Sequence, residues 1–428
     1  MGEGKMIKIN NLALFLIFLS GIAYLWFGGT HLAGIHLPPI IAVLSIYVAL
    51  TIILMKRKVP MPSTVRAIFK ISLILVGWMF VRELFAGAEF RIYSNVLVGR
   101  ILLGMFISFC IWFFITDIKG LKFLVYGLII VIAISAAIGI GQYFVGEPFI
   151  RLWKMTGCVL HKERELRLGY IAGLAGFSVA FAYELCISVP LVFGLTLTRQ
   201  YKKKFGVIFL ILLLALLLTQ TRSAIIGALV GMAVVTRFSL ARGRLKTTLL
   251  ILSLGTIVYL LFGIYVNPRM MAFTKGSAIK RLPLFLTATL TGFAHPLGVG
   301  RESYLEVASG FFEEVEELPG ADVVLKAAPH NQFLNMLAFY GFPGLVLLLI
   351  FYVLLFRLLR PIKNYAPFLK GAQVGLLGGF IAYLVNSLFH NNGPFIGDII
   401  NWYFIGVALA INKLTFQSPT RKVKLTSI

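Results

Sequence analysis

The residues best suited to chemistry in this chain begin with a histidine late in the sequence. His330 directly precedes Asn331 and a run of apolar residues at helical spacing, so the pair is predicted to begin a helix. A histidine near its ordinary pKa can accept a proton from a hydroxyl at neutral pH. The free N–H groups of a helix start favour an anion beside Asn331. The plainer alternative is that His330 is solvated or caps the helix.

Three arginines could bind such an anion. Arg222 lies in a polar turn between two apolar arms, whereas Arg281 and Arg301 lie in the long polar segment Asn267–Gln332. Guanidinium groups bind phosphate oxygens in pairs of hydrogen bonds, so three of them around one cavity would form a diphosphate clamp. The alternative for each arginine is an anchor at lipid headgroups.

The turn that contains Arg222 has an unusual predicted depth. Each flanking arm has about 14 apolar residues, which gives roughly 21 Å of helix against a hydrocarbon core of roughly 30 Å. The turn is therefore expected at or below the headgroup level, where an unpaired arginine is costly and a functional role is favoured.

A second candidate for anion binding is the segment Gly146–Gly169. It contains five basic residues, among them Arg151 and Lys154, on the predicted outer side where basic residues are usually depleted. We predict that Arg151 and Lys154 bind an anionic substrate.

The remaining polar stretches favour ordinary structure. His390–Pro394, followed by Asp398, is predicted to be a polar hairpin, and Pro296–Gly300 a tight turn. Glu313–Glu317 are predicted to form the solvated face of an amphipathic helix that starts at Glu302. The three cysteines have no spacing typical of a metal site or a disulfide framework.

Composition predicts the elements that position these residues. The chain is 59% hydrophobic and only 13% charged, with a mean hydropathy of +0.92, whereas soluble domains carry about 25% charged residues. This indicates an all-α, polytopic membrane protein with about twelve spanning helices. They are predicted at Leu12–Phe27, Ile35–Met55, Val65–Phe85, Val96–Thr116, Leu121–Phe144, Ile171–Leu197, Phe205–Leu218, Ala224–Val235, Thr247–Val266, Phe333–Phe356, Phe368–Phe389 and Pro394–Ile411.

The basic clusters predict the orientation. Six of them follow even-numbered helices, so both termini are expected in the cytoplasm and the His330 loop outside. We predict that the chain divides into three parts. Residues 1–266 contain helices one to nine, residues 267–332 form one long, partly helical periplasmic loop, and residues 333–428 contain the last three helices and a cytoplasmic tail. The net charge of +24 is expected to interact with anionic lipids or phosphate ligands. Nucleic acid is not expected as a partner, because no basic domain outside the membrane is large enough to bind it.

Three short motifs in order resemble the O-antigen ligases and O-antigen polymerases. They are the turn Thr219–Ser223, the stretch from Arg281 to His295-Pro296-Leu297-Gly298-Val299-Gly300, and His330-Asn331-Gln332-Phe333-Leu334 followed by Gly341-Phe342-Pro343-Gly344. Two departures are Thr221 in place of the family's usual serine, and Pro283, which is expected to delay the start of the helix after Arg281.

The resemblance implies a GT-C-like glycosyltransferase of the bacterial inner membrane with its active site at the periplasmic face. It implies transfer of a glycan from undecaprenyl diphosphate to an acceptor sugar, with inversion and without nucleotide sugar, ATP or metal. His330 would be the base, and Arg222 and Arg281 would stabilise the leaving diphosphate. Arg301 and Asn331 are added as substrate-binding residues from their position.

Two alternatives remain open at this point. A ligase would use a lipid A-core acceptor and a polymerase a second lipid-linked repeat unit; the basic segment Gly146–Gly169 favours the ligase. A transporter of lipid-linked sugars also often has about twelve helices, but it would place polar breaks near the bilayer midplane in both halves of the chain.

Overall fold

The structure is a computed structural model that describes most of the chain. The described residues are 3–27, 61–86, 99–155, 166, 169–175, 177–198, 202–239, 255, 257, 261, 281–361, 366–396 and 398–417.

Regular structure in the described residues is helical, and none of those residues lies in a strand. The helices, numbered here in chain order, are α1 (Glu3–Phe27), α2 (Ser63–Phe85), α3 (Gly99–Phe114), α4 (Ile118–Phe144), α5 (Glu147–Met155), α6 (Ser178–Thr196), α7 (Lys202–Leu218), α8 (Arg222–Ser239), α9 (Arg281–Ala294), α10 (Tyr304–Ser309), α11 (Gln332–Leu359), α12 (Pro367–Ser387) and α13 (Ile399–Gln417).

Seven of the described helices are long and apolar enough to cross a membrane, namely α2, α4, α6, α8, α11, α12 and α13. This confirms the expectation of an all-α, multi-pass membrane protein. Ten of the twelve predicted spans coincide with a described helix. The other two, Ile35–Met55 and Thr247–Val266, fall wholly or almost wholly outside the described residues, so the total of twelve stays a prediction.

Small residues bring α6, α8 and α12 into close contact. A Cβ added to Gly375 of α12 would lie 2.6 Å from the Leu191 carbonyl oxygen of α6, and one added to Gly227 of α8 would lie 2.3 Å from the Ala382 carbonyl oxygen. Helices in membranes approach this closely where glycine and alanine remove the side-chain volume between them. These three helices therefore pack closely against one another, and the segment 388–396 continues directly from the end of α12.

Helix α11 folds back on itself at Gly341. Gln332 and Tyr352 are 20 residues apart and would be separated by about 30 Å in a straight helix, yet the Tyr352 hydroxyl donates to Gln332 Oε1 at 3.0 Å. The backbone of Gly341 is non-helical, with φ 69° and ψ −169°. The predicted span Phe333–Phe356 therefore falls on α11 but is not one straight helix: a short arm, 332–340, and a long arm, 342–359, meet at an acute angle.

A glycine-rich loop holds the apex of this hairpin. The N–H groups of Val299 and Gly300 donate to the carbonyls of Ala338 and Phe339, at 3.1 and 2.8 Å. Trp78 Nε1 of α2 donates to the next carbonyl, that of Tyr340, at 2.7 Å. Three carbonyls freed at the end of the short arm are thus paired, as buried backbone groups must be. We call residues 296–300 the apex loop.

Three local expectations change. The acidic stretch Glu313–Glu317 lies in turns, because α10 ends at Ser309 and no described helix follows it until the 3-10 turn Ala321–Val323. Pro283 does not delay α9, which already includes Arg281; proline is tolerated in a first turn because its missing N–H has no partner there. The arms flanking Arg222 have 17 and 18 residues, longer than the sequence indicated.

Candidate active site

The site is built around a wedge, the segment 388–396 between α12 and α13. On one side Asn331 Nδ2, at the start of the short arm of α11, donates to the Leu388 carbonyl at 2.9 Å. On the other side the Phe395 ring packs edge-on against Phe351 of the long arm, with 4.9 Å between centroids. The wedge therefore fills the space between the two arms and fixes the short arm relative to α12.

Arg281 begins α9 and lies at the centre of the site. Burial lowers the pKa of this guanidinium, the nearby Tyr183 hydroxyl opposes the shift, and the charge of Arg222 adds to it. Arg281 Nε is buried without a hydrogen-bond partner among the described residues. A cation with an unused buried donor and a second cation beside it is well suited to bind an anion that carries more than one charge.

His330 lies beside Arg281 at the start of the short arm, with its side chain exposed. Partial desolvation and the Arg281 charge lower the pKa of His330 below its usual 6.5. The imidazole is therefore neutral at pH 7, which is the form that can accept a proton from a substrate.

Asn331 has a structural task in the protein. Its Oδ1 accepts hydrogen bonds from the N–H groups of Phe333 and Leu334, at 2.8 and 3.1 Å, which is the geometry of a helix N-cap. This confirms the expected helix start. Because its Nδ2 is also bonded to the wedge, the contacts of Asn331 favour a role in positioning His330, and its binding of substrate stays a prediction.

The turn before α8 positions Arg222, the first residue of that helix. Gln220 has a φ of 58°, a left-handed conformation that is uncommon outside glycine. Its amide Nε2 donates to the Gly169 carbonyl at 2.8 Å, which holds the turn against the segment that precedes α6. Arg222 then begins α8 at the His330 end of the helix bundle, within reach of the electric field of Arg281.

His390 of the wedge is a site residue that the sequence analysis missed. Its ring lies 5.6 Å from that of Tyr183 on α6, edge to face. Burial and the charges of Arg281 and His330 lower the pKa of His390 to about 3. The stretch His390–Pro394 was interpreted as a polar hairpin, and nothing in its local pattern shows that the fold of α11 brings it beside His330.

A buried polar network lies behind His390. Asp398 Oδ2 accepts hydrogen bonds from the Tyr383 hydroxyl and from Asn401 Nδ2, both at 2.8 Å. Burial raises the pKa of Asp398 to about 6, against the effect of these donors. Tyr383 also lies close to Tyr183, with 6.5 Å between ring centroids. The network therefore links the base of α13 to the wall of the site.

Arg301 lies at the apex of the α11 hairpin. Its backbone N–H donates to the Glu83 carboxylate of α2, at 3.1 Å to Oε1. Its side chain lines a cavity of about 20 Å³ together with Asn335, Tyr340 and Asn391. These contacts place it with the apex loop, and its share in a diphosphate clamp stays a prediction.

Arg151 and Lys154 lie on α5, where both are within 4 Å of the Glu147 carboxylate, at 3.6 and 3.8 Å. Arg151 is largely exposed. Trp153 anchors the same helix, since its Nε1 donates to the Ala175 carbonyl at 2.8 Å. The pair therefore stands on an ordered surface helix, and its anion binding stays a prediction.

Metal ligands do not cluster in the described part of the chain, where no group of three or more His, Cys, Asp or Glu side chains could hold an ion. What the described site offers is two guanidinium groups, two imidazoles and the Asp398 network.

Fold and site together define a multi-pass, all-helical membrane protein with a cationic site at one end of its helix bundle. Residues 207–349 match the family model described as O-Antigen ligase, which covers about a third of the chain. This match confirms the resemblance to the O-antigen ligase and polymerase family over that stretch. The matched stretch includes Arg222, Arg281, the apex loop and His330. No curated protein matches the chain.

Proposed function

We propose that this protein is an O-antigen ligase that transfers a glycan from undecaprenyl diphosphate to a sugar of the lipid A-core at the periplasmic face. The observation that carries the proposal is the meeting of Arg222, Arg281 and His330, from three separate motifs, within a stretch that matches the O-antigen ligase family. The reaction class is a metal-independent, inverting glycosyl transfer.

Arg222 and Arg281 would bind the diphosphate of the donor. The leaving group gains negative charge as the bond to the sugar breaks, and guanidinium groups already in place stabilise that charge without rearranging at the moment of reaction. The buried, unpartnered Nε of Arg281 gains an acceptor when the diphosphate binds.

His330 would act as the general base. It removes the proton from the acceptor hydroxyl while that oxygen attacks the anomeric carbon from the side opposite the diphosphate. One C–O bond forms, the bond from the anomeric carbon to the diphosphate oxygen breaks, and the electron pair leaves with the diphosphate. Because diphosphate leaves readily, positioning, one base and cationic stabilisation supply what the step requires.

Ligase and polymerase differ only in the acceptor. The matched family covers both, and Arg151 with Lys154 on α5 would suit the phosphates of a lipid A-core. This basic helix is the observation that favours the ligase, with polymerisation of lipid-linked repeat units as the second candidate.

The test is transfer by purified protein from an undecaprenyl-diphosphate glycan to separate acceptors. We expect product on lipid A-core with the wild type and none with His330→Ala, while His295→Ala, an exposed histidine at the end of α9, keeps wild-type activity. Growth of the glycan on its lipid carrier alone would make the protein a polymerase. Folded wild type that transfers to neither acceptor would refute the proposal and favour a transporter.

A further inference from the structure

We propose that His390 donates a hydrogen bond to the diphosphate of the lipid-linked donor, next to Arg281. The proposal rests on the proposed function and adds a residue outside the family match, which ends at residue 349.

The first step of the argument is how the wedge is held. The Gly393 backbone packs so closely on the Gln332 amide that an added Cβ would lie 2.1 Å from Nε2. Trp402 Nε1 of α13 donates to the Pro394 carbonyl at 3.0 Å. With the Asn331–Leu388 and Phe395–Phe351 contacts, the wedge is bound to both arms of α11 and to α13. His390 therefore occupies a fixed position, unlike a histidine in a free surface loop.

The second step is what surrounds the imidazole. The charged and titratable groups that act on His390 are Arg281 and His330, and those that act on its Tyr183 neighbour are Asp398, Arg281 and Cys186. The side chain is only partly buried, so one edge remains open to a ligand. A ligand bound to Arg281 in this space would meet the open edge of His390.

The third step is the chemistry. Burial and the Arg281 charge keep the imidazole neutral at every pH near 7, so His390 is a poor base. A neutral imidazole still has one N–H, and a phosphate oxygen accepts hydrogen bonds only. Donation to the bridging or terminal oxygens would add a neutral donor where the leaving group gains charge, without a third positive charge crowding Arg222 and Arg281.

The test measures binding and transfer separately. Binding of farnesyl diphosphate and of farnesyl monophosphate, as short soluble probes, is compared for wild type, His390→Ala and His390→Gln, with His295→Ala as the control histidine. Loss of a hydrogen bond to a charged group should weaken diphosphate binding about 10- to 100-fold in His390→Ala. His390→Gln keeps a neutral N–H donor and should recover most of the affinity. The monophosphate should lose less.

Transfer by the same variants provides the second measurement. We expect His390→Gln to keep the acidic limb of the pH profile unchanged, because His330 titrates there and His390 does not. His390→Ala that folds with the wild-type thermal midpoint and equals His295→Ala in binding and in donor KM would overturn the inference, as would a His390→Gln no better than alanine. Wild type that binds the diphosphate but transfers no glycan would refute the proposed function while leaving the His390 result valid.

Discussion

The Gly341→Ala substitution tests the fold of α11 and the site that depends on it. Gly341 has φ 69°, and a Cβ added there would lie 2.2 Å from the Pro296 carbonyl oxygen and 2.4 Å from the Leu297 carbonyl carbon. Both atoms belong to the backbone of the apex loop, so no side-chain rotation relieves the clash. The loop must therefore move away from the hairpin.

The magnitude follows from the contacts that would be lost. The apex loop and α11 share three backbone hydrogen bonds, the third from Phe342 N–H to the Pro296 carbonyl at 2.9 Å. At about 1 kcal/mol each, with about 1–3 kcal/mol for alanine at a φ of 69° and a ψ of −169°, a region essentially confined to glycine, the cost is about 4–6 kcal/mol. A chain of 428 residues has an unfolding entropy of roughly 0.9 kcal/mol/K. The thermal midpoint should then fall by about 4–7 °C.

Two cysteines make the measurement direct. Cys110 and Cys186 are buried, with 2% and 0% of their surfaces exposed, so in a Cys158→Ser background a thiol-reactive fluorophore labels them only as the protein unfolds. The control is Gly77→Ala on α2, where an added Cβ meets nothing within 4 Å. Its midpoint should equal that of the wild type or exceed it slightly. Glycan transfer should fall in Gly341→Ala and persist in Gly77→Ala.

The reasoning is refuted if Gly341→Ala matches Gly77→Ala in both midpoint and transfer. If Gly341→Ala does not accumulate in the membrane, Trp78→Phe provides a milder change, since it removes the single hydrogen bond from Nε1 to the Tyr340 carbonyl. Its expected cost is about 1–3 kcal/mol, because the buried carbonyl is left unpaired.

Four further predictions concern other parts of the chain. Arg281→Lys keeps the charge but loses the planar set of guanidinium N–H donors, so the KM for the donor should rise at least several-fold. The rise should be larger in Arg281→Ala. An equal KM in the wild type and both variants would contradict the role of Arg281 in binding the diphosphate. Because partial desolvation and the Arg281 charge lower the pKa of His330, neutral base forms as the pH rises through a value below 6.5, and the acidic limb of kcat/KM should lie there; a limb at or above 6.5 would argue against His330 as the base. Tyr352→Phe leaves buried Gln332 without its Oε1 donor and should lower the thermal midpoint, whereas an unchanged midpoint would mean that this bond does not hold the two arms together. In Gly375→Ala the new methyl meets the backbone of Leu191, so the midpoint should fall relative to Gly77→Ala; no difference would show that α6 and α12 can separate without cost.

The sequence predicted the helices well where long apolar runs determined them. Ten expected spans have a described counterpart, and a helix begins at the His330–Asn331 pair as expected, with Asn331 as its cap. A membrane requires this regularity, because unpaired backbone groups in hydrocarbon are costly. The all-helical class followed from composition for the same reason.

The fold-back of α11 could not be predicted in the same way. The residues Gly341-Phe342-Pro343-Gly344 were visible as a turn, but the apolar pattern continues through them from Phe333 to Phe356. The angle depends on partners distant in the chain, the apex loop and Trp78. For the same reason the sequence did not indicate His390 as a site residue. Its position is fixed by contacts of the wedge with α11 and α13, and the local residue pattern does not show these contacts.

The apex loop has a consequence for how substrate choice can diverge among related chains. Its glycines and those at the end of the short arm allow the backbones of the apex loop and of α11 to pack closely against each other, and they form a joint that contacts no acceptor. Relatives could keep this joint, the wedge, Arg281 and His330 unchanged while α5 varies. A chimera that exchanges only α5 between a ligase and a polymerase would then alter the acceptor without disturbing the chemistry.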